Sequence, residues 1–411
     1  MQGKLTFIHA ADLHLDSPFQ GLAKSPEQVF KDVQESTFQA LEKLTNIAIE
    51  KNVDFVLLVG DIFDENIKSL KAPMKLRQAF ERLKSHNINV YMSYGNHDYI
   101  QGHVHQVNYP DNVFVFPDEQ VRAFHYPNDS EPLAAIYGFS YEQRSVETNK
   151  ARDYLKVDQA IPFHIATLHG SVHGNSSDES YASFSLKDLN KQGFDYWALG
   201  HIHKRQILQN SPPIVYPGNI QGRHPLEDGA KGCYYVELTR SNCQLIFMPL
   251  HTIEFVSLKI NTQDFQDVFE LEQRINQQLT VEINPDISTL IKLYLYGDER
   301  LYTWERHKYI AEIIELINER FLTRHSWCYI YDLAIEIKVE QTFKPTTEQN
   351  HFFQVLNDQF SEISITPFLE QLYKHPQARK FLQPLSTEEE RLIQEKAKHL
   401  LNNELFKTRE S

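Results

Sequence analysis

Short continuous apolar runs alternate with helical stretches in the first part of the chain. Leu5 to Ala10, Val53 to Val59 and Ile88 to Tyr94 are predicted strands. Apolar residues at helical spacing predict helices from Pro26 to Lys51 and from Ile67 to His86. This alternation is typical of a layered α/β domain, in which helices cover the faces of a sheet.

Three later apolar runs have few helices between them. They cover residues 134–137, 163–168 and 196–199. Because neighbouring parallel strands need long crossovers, usually helices, this spacing predicts a second sheet that is more antiparallel than the first. The expected fold is α/β, a sandwich of two sheets flanked by helices, over residues 1–250.

The pattern then changes to that of a smaller α+β unit. Strand-like segments from Phe255 to Ile260 and from Leu290 to Tyr296 enclose one helical face, and a second helical face and another alternating segment follow. We predict an appended α+β domain at residues 251–340, which would cap the first domain. Residues 341–411 are predicted to form a helical tail.

The bulk composition favours a globular protein. Of the 411 residues 41% are apolar, but no apolar stretch approaches the ~20 residues of a membrane-spanning helix. No signal-like series opens the chain, so a soluble cytoplasmic protein without membrane contact is expected. The three cysteines are too scattered for a disulfide framework. A formal charge of −14 opposes nucleic-acid binding through a broad basic face, so such binding must be local or helped by metal ions or a partner.

Five short polar motifs follow predicted strands. In chain order they are Asp12-Leu13-His14, Gly60-Asp61-Ile62-Phe63-Asp64, Gly95-Asn96-His97-Asp98, His169-Gly170 and Gly200-His201-Ile202-His203. Loops at the carboxyl ends of strands in an open sheet face a common crevice. Each motif alone is compatible with a turn or a helix cap, but five in this order, all after strands, indicate one shared site.

The residue types in these motifs indicate a metal site. Carboxylate, amide and imidazole ligands together suit manganese, iron or zinc better than magnesium alone. One carboxylate can bridge two ions. Two divalent ions about 3.5–4 Å apart can activate a water, orient a phosphate and neutralise the charge of an in-line displacement. The motifs therefore predict hydrolysis of a phosphoester.

Taken together, the motifs resemble those of the calcineurin-like metallophosphoesterase superfamily, over about the first 250 residues. Within it the chain resembles the SbcD-like and meiotic-recombination nucleases of DNA repair, and most of all the YhaO-type exonuclease-like proteins. This closer resemblance rests on three segments: His9 to Asp16, Phe194 to His203 and Tyr216 to His224.

The resemblance implies a set of ligands for two divalent metal ions, with manganese favoured and iron or zinc as alternatives. One ion would be held by Asp12, His14, Asp61 and His203, and the other by Asp61, Asn96, His169 and His201. Asp61 would bridge the two ions, and a metal-bound hydroxide would be the nucleophile.

Two further residues receive catalytic roles from the same resemblance. His97 would face the substrate, without binding metal, and would assist departure of the leaving group as an acid or hydrogen-bond donor. Asp98 would orient His97, as carboxylates behind a functional imidazole often do.

Several neighbouring polar residues remain open between a substrate contact and a structural role. Asp64 stands where some related nucleases carry a histidine near the scissile phosphate, and structural support is favoured for it. Arg223 and His224 follow a glycine-rich turn and are candidates for contacts with a nucleic-acid backbone. The loop histidines expected to be exposed to solvent are His103, His105 and His173.

Three functions compete at this point. The leading one is a manganese-dependent DNA exo- or endonuclease in repair. The second is a small-molecule phosphodiesterase or phosphatase, although Asp61 lacks the arginine-bearing extension typical of phosphoprotein phosphatases. The third is a non-catalytic subunit of an ATPase complex with a vestigial site, which the complete ligand set disfavours.

The tail is a candidate for partner binding. Residues 386–389 have the capping-box form, and an apolar stripe at helical spacing follows them; another candidate helix begins at Thr366-Pro367. The resemblance implies that such helices grip a coiled-coil ATPase of the SbcC or YhaN type. Packing of the helices on the chain's own domains is the alternative, and a homodimer is left open.

Overall fold

The computed structural model describes most of the first 337 residues and scattered positions beyond them. The described residues are 3–19, 22, 25–64, 69–102, 107–127, 131–173, 181–337, 355, 359, 364, 365, 367–369, 374, 385, 390, 391, 393, 394 and 397. The chain divides into two compact units, residues 1–338 and residues 339–411. The finer division at residue 250 stays a prediction.

Three sheets organise the first unit. Its strands, within the described residues, are β1 (Lys4–Ala11), β2 (Phe55–Val59), β3 (Asn89–Ser93), β4 (Val113–Val115), β5 (Arg122–Tyr126), β6 (Ala134–Gly138), β7 (Phe163–His169), β8 (Tyr196–Gly200), β9 (Gln206–Asn210), β10 (Pro213–Tyr216), β11 (Gly232–Thr239), β12 (Cys243–Pro249), β13 (Ile253–Asn261), β14 (Ser288–Gly297) and β15 (Cys328–Ile337). Its helices are α1 (Glu27–Glu50), α2 (Lys71–Ser85), α3 (Leu186–Lys191), α4 (Val268–Glu282), α5 (Arg300–Arg306) and α6 (Tyr309–Leu322).

The first sheet has the order β12-β11-β1-β2-β3-β4, and β1 to β4 run parallel. Its central strands are apolar throughout because both faces are buried. Phe7 and Phe55 face the second sheet, while Ile8 and Val56 pack with α1 and α2. The predicted helices and strands of this region are confirmed.

The second sheet has the order β5-β6-β7-β8-β10-β9. The expectation of a sheet more antiparallel than the first is wrong, because β6, β7, β8 and β10 pair in parallel and only the outer strands β5 and β9 are antiparallel, the same mixture of pairings as in the first sheet. Irregular segments and the six-residue helix α3 make the crossovers here, so the scarcity of long helices was a misleading signal. The two-sheet α/β sandwich itself is confirmed.

Residues 253–337 form an α+β region with a sheet of their own. The strands β13, β14 and β15 are all parallel, and α4, α5 and α6 pack on them around Leu271 and Ile317. A separate apolar cluster joins this region to the start of α1. In that cluster the indole of Trp327, which is 1% exposed, donates a hydrogen bond to Asp32 at 2.8 Å.

Most of the described residues of the second compact unit are helical, and residues 364, 365 and 385 are not. Residues 367–369, 390, 391, 393 and 394 are helical, and the predicted helix start at Pro367 agrees with this. Glu390 accepts hydrogen bonds from the Ile365 amide at 2.9 Å and the Ser364 hydroxyl at 3.1 Å. Most of the predicted docking region, including residues 386–389, lies outside the described residues.

Across the described residues, the helices are too short or too polar to pass through a bilayer.

Candidate metal centre

Four of the predicted ligands have a backbone conformation that side-chain-bearing residues rarely adopt. The φ angles are 52° at Asp12, 42° at His14, 48° at Asp61 and 95° at His201. Such conformations cost about 1–3 kcal/mol each and persist where the surroundings impose them, often at functional sites. Hydrogen bonds from the Asp12 amide to Gly60 O at 3.2 Å and from the His14 amide to Asp61 O at 3.0 Å join two of these turns.

Two glycines let these turns approach each other closely. Gly60 has a φ of 72°, and a Cβ there would lie 2.2 Å from His169 Nδ1. A Cβ at Gly95 would lie 2.3 Å from a carboxylate oxygen of Asp61. A side chain at either position would displace a predicted ligand, so the glycines of these motifs serve close packing as well as turning.

The first donor set is formed by turns after β1, β2 and β8. Ligand atoms of Asp12, His14, Asp61 and His203 all lie within 4.8 Å of one another. His14 Nε2 is 3.1 Å from His203 Nε2 and 3.7 Å from Asp61 Oδ2. This nitrogen spacing is close to that of two imidazoles on one ion with metal–nitrogen distances of about 2.1 Å.

The second donor set shares Asp61 with the first. His169 Nε2 lies 3.4 Å from Asp61 Oδ2, and the ligand atoms of Asp61, His169 and His201 lie within 4.8 Å of one another. The Asn96 side-chain oxygen lies 3.0 Å from His169 Nε2 and 3.1 Å from His201 Nδ1. Asp61 Oδ2 therefore faces His14 on one side and His169 on the other.

The electrostatics of this buried cluster depend on closely spaced opposite charges. Burial would raise the pKa of Asp61, but His169 beside it holds that pKa well below its usual range. Burial would lower the pKa of His169, but Asp61 and Asp12 raise it to about 9. Burial raises the pKa of Asp12, and burial together with His169 lowers the pKa of His201 to about 3. The imidazole of His169 thus lies between the carboxylates of Asp12, at 3.9 Å, and Asp61, at 3.4 Å.

The residues present fit two divalent cations. Buried carboxylates are costly unless paired or bound to metal, and here two of them face imidazole nitrogens, with the amide oxygen of Asn96 nearby. This mixed oxygen and nitrogen set suits a transition metal such as manganese, iron or zinc. All seven ligand candidates predicted from the sequence are brought together: Asp12, His14, Asp61, Asn96, His169, His201 and His203.

His97 lies beside the donor sets without being part of either. Its amide donates to Asp61 Oδ1 at 3.0 Å, and its ring lies edge-on to that of His14 with centroids 5.1 Å apart. Its Nδ1 is buried and has no hydrogen-bond partner among the described residues. The imidazole therefore adjoins the site with its hydrogen-bonding capacity partly unused.

Asp98 makes contacts different from those expected. Its carboxylate accepts backbone hydrogen bonds from Ile62 at 2.7 Å, Phe63 at 3.2 Å and Gly95 at 2.6 Å. Within the described part of the chain it makes no hydrogen bond to His97. Burial and the nearby Asp61 raise the pKa of Asp98 to about 7. Asp98 thus joins the turns after β2 and β3. Its carboxylate oxygens accept these backbone hydrogen bonds in place of the expected contact with His97.

Glu227 is a site residue that the sequence analysis missed. Its Oε1 lies 2.6 Å from His203 Nδ1, and its Oε2 accepts hydrogen bonds from the Asn219 side chain and the Arg223 amide, both at 2.8 Å. Burial would raise the pKa of Glu227, but the bond to His203 lowers it to about 2. Carboxylates in this position fix the orientation of a metal-binding imidazole. No motif spacing links Glu227 to His203, 24 residues earlier.

The remaining candidates divide between the site and the surface. Asp64 and Arg223 form an ion pair at 2.5 Å, and Asp64 Oδ2 lies 3.9 Å from His14 Nδ1. His224 and His173 are exposed, and His224 accepts a hydrogen bond from the Leu226 amide. His103 and His105 lie outside the described residues.

Comparison with known proteins identifies the family of the chain. Residues 5–205 match the family model for calcineurin-like phosphoesterases. The chain is 35% identical over 403 residues to the uncharacterized metallophosphoesterase YhaO of Bacillus subtilis, and the match covers 98% of each protein. The chain therefore belongs to the calcineurin-like metallophosphoesterase family.

More distant relatives carry names from DNA repair. The chain is 26% identical to the DNA double-strand break repair protein Mre11 of Sulfolobus acidocaldarius, over 71% of this chain and 75% of that protein. It is 24% identical to the Mre11 protein of Methanocaldococcus jannaschii, over 66% of this chain and 74% of that protein.

We expect Glu227→Gln to weaken manganese binding by about tenfold or more, because loss of a carboxylate behind a metal-binding imidazole typically costs 10- to 100-fold in affinity. Competition with a chelator under metal-limited conditions measures this. Glu237→Gln is the matched control, since Glu237 lies on β11 and pairs with Lys4. Equal manganese affinity for Glu227→Gln and the wild type would contradict the positioning role.

Proposed function

We propose that this protein is a two-metal phosphodiesterase that cleaves DNA, with manganese as the working ion. The observation that carries the proposal is the shared carboxylate of Asp61, with one donor set on either side. Two divalent ions bound there would supply an activated water and charge neutralisation for phosphoester hydrolysis. In this proposal the seven candidate ligands are already arranged to bind those ions.

His97 is the proposed acid or hydrogen-bond donor toward the leaving oxygen. Its backbone is tied to Asp61, and its ring lies against His14. His97 is half-buried, and its Nδ1 is buried without a hydrogen-bond partner among the described residues; such an imidazole has the chemistry needed to hold or donate a proton. Asp98 acts on His97 indirectly, because it holds together the turns that carry Asp61 and Asn96.

DNA is the proposed substrate because of the relatives and the extra α+β region. The Mre11 relatives are named as DNA double-strand break repair proteins. Residues 253–337 would provide a surface that positions a DNA strand. Their attachment to α1 through Trp327 would hold that surface in place. The formal charge of −14 restricts DNA contacts to the site and its surroundings. Binding of a coiled-coil ATPase by the tail stays a prediction.

The proposed activity is tested with end-labelled single- and double-stranded DNA in the presence of manganese, beside the small diester bis-p-nitrophenyl phosphate. We expect both kinds of substrate to be hydrolysed, and chelation of the metal to stop both reactions. Hydrolysis of the small diester without cleavage of any DNA would favour a small-molecule phosphodiesterase. Hydrolysis of neither would favour a non-catalytic subunit.

For His97→Ala we expect normal content of both metals and a loss of phosphodiester cleavage of about 100-fold or more, the usual contribution of a general acid. Metal analysis of the purified variant and initial rates on the small diester measure the two effects. The exposed His224→Ala is the control. Loss of a full metal equivalent from His97→Ala would show that His97 is a ligand.

Asp61→Asn is expected to reduce metal content more than Asn96→Ala, because the carboxylate serves both donor sets and an amide is a poorer bridge. Metal analysis after gel filtration, with circular dichroism to verify folding, compares the two variants. Two tightly bound ions in Asp61→Asn would rule out the bridging role.

A further inference from the structure

An ion pair lies in the wall of the candidate metal site. Arg223 Nη1 donates hydrogen bonds to Asp64 Oδ2 at 2.5 Å and to Ser17 Oγ at 3.3 Å. The hydroxyl of Ser17 in turn donates to Asp64 at 3.3 Å. The side chains of Arg223 and Asp64 are only 16% and 11% exposed. The guanidinium is therefore held in one place by a small polar network.

The network is built onto two predicted ligands of the first donor set. Asp64 Oδ2 lies 3.9 Å from His14 Nδ1. The amide of Arg223 donates to Glu227, whose other carboxylate oxygen bonds His203. Glu227 thus links Arg223 to His203 by hydrogen bonds, and Asp64 lies next to His14, so the cation stands at the edge of the candidate metal site.

Arg223 has donors that the protein leaves unused. A guanidinium carries five N–H donors in a planar fork, and the hydrogen bonds of this side chain within the described residues all start from Nη1. Nε is buried and unpartnered among those residues. An unpaired buried donor costs about 1–3 kcal/mol. The edge formed by Nε and Nη2 matches the spacing of two phosphate oxygens.

The charge balance also favours an anion at this position. Asp64 compensates the guanidinium when no substrate is present. A permanent cation beside donor sets suited to two divalent cations is unfavourable unless further negative charge is present. The scissile phosphodiester supplies some of that charge, and a neighbouring phosphate on the same strand would supply more.

We propose that Arg223 binds a second phosphate group of the substrate, next to the phosphodiester that is hydrolysed. The site then selects nucleic-acid strands or nucleotides with at least two phosphates over simple diesters. This inference rests on the proposed function and adds to it a substrate class. Ser17 and Glu227 are positioning residues for the guanidinium, and Asp64 neutralises it.

The test compares binding of thymidine 3′,5′-bisphosphate with binding of the two thymidine monophosphates, by calorimetric titration of the manganese-containing protein. For the wild type we expect the second phosphate to increase affinity about tenfold or more, as a charge-assisted pair does. In Arg223→Gln this affinity ratio should fall to about one, and Arg223→Lys should retain part of it. The control is Arg240→Gln, because Arg240 follows β11 and pairs with Asp195 at 3.9 Å, a residue outside both donor sets.

The variant Asp64→Asn distinguishes phosphate binding by Arg223 from a purely structural role of the Arg223–Asp64 ion pair. The asparagine oxygen can still accept from Nη1, so the ratio should be at least that of the wild type. A ratio of one in the wild type, or an unchanged ratio in Arg223→Gln, would overturn the inference. Absence of hydrolysis together with the expected ratio would overturn the proposed function and leave the binding inference standing.

Discussion

The buried carboxylate of Asp61 is the constraint on which the rest of the site depends. It is 1% exposed, and its two oxygens face the imidazoles of His14 and His169 and the amide of His97. A carboxylate in such a place is tolerated only with positive charge or hydrogen-bond donors close to it. The left-handed backbone at Asp61 and the absence of a Cβ at Gly60 and Gly95 both follow from bringing that carboxylate between two donor sets.

The sandwich supplies this arrangement from two directions. Parallel strands of the first sheet end at Asp12, Asp61 and the turn that carries Asn96, while parallel strands of the second sheet end at His169 and Gly200. Because the carboxyl ends of all these strands meet at one edge, each short turn has to extend only a few residues to reach the centre. The parallel core of the second sheet is therefore as necessary to the site as that of the first.

Around the candidate ligands lies an outer layer of polar side chains, which contact these residues or the turns that carry them. Glu227 orients His203, Asp98 joins two ligand-bearing turns, and Arg223 with Asp64 forms one wall. A shared fold does not fix the substrate, so substrate choice depends on the groups around the candidate metal site. The outer layer here combines one cation, Arg223, with the three carboxyl groups of Glu227, Asp98 and Asp64, so positive charge from the protein is confined to one side chain in this layer.

The sequence by itself determined the α/β rhythm of the first sheet, the α+β pattern after it and the seven ligand candidates. The helices and strands follow from apolar periodicity. The polar motifs directly after strands indicate a shared metal site, and their resemblance to a known family implies the individual ligands. Tertiary structure alone decided that the second sheet is parallel at its centre, that Asp98 bonds backbone amides, and that Glu227 and Arg223 join the site. Arg223 and Asp64 are 159 residues apart, and no periodicity or spacing relates residues that meet only when separate turns pack together. Contacts of that kind depend on the final packing of the sandwich, which the local pattern does not contain.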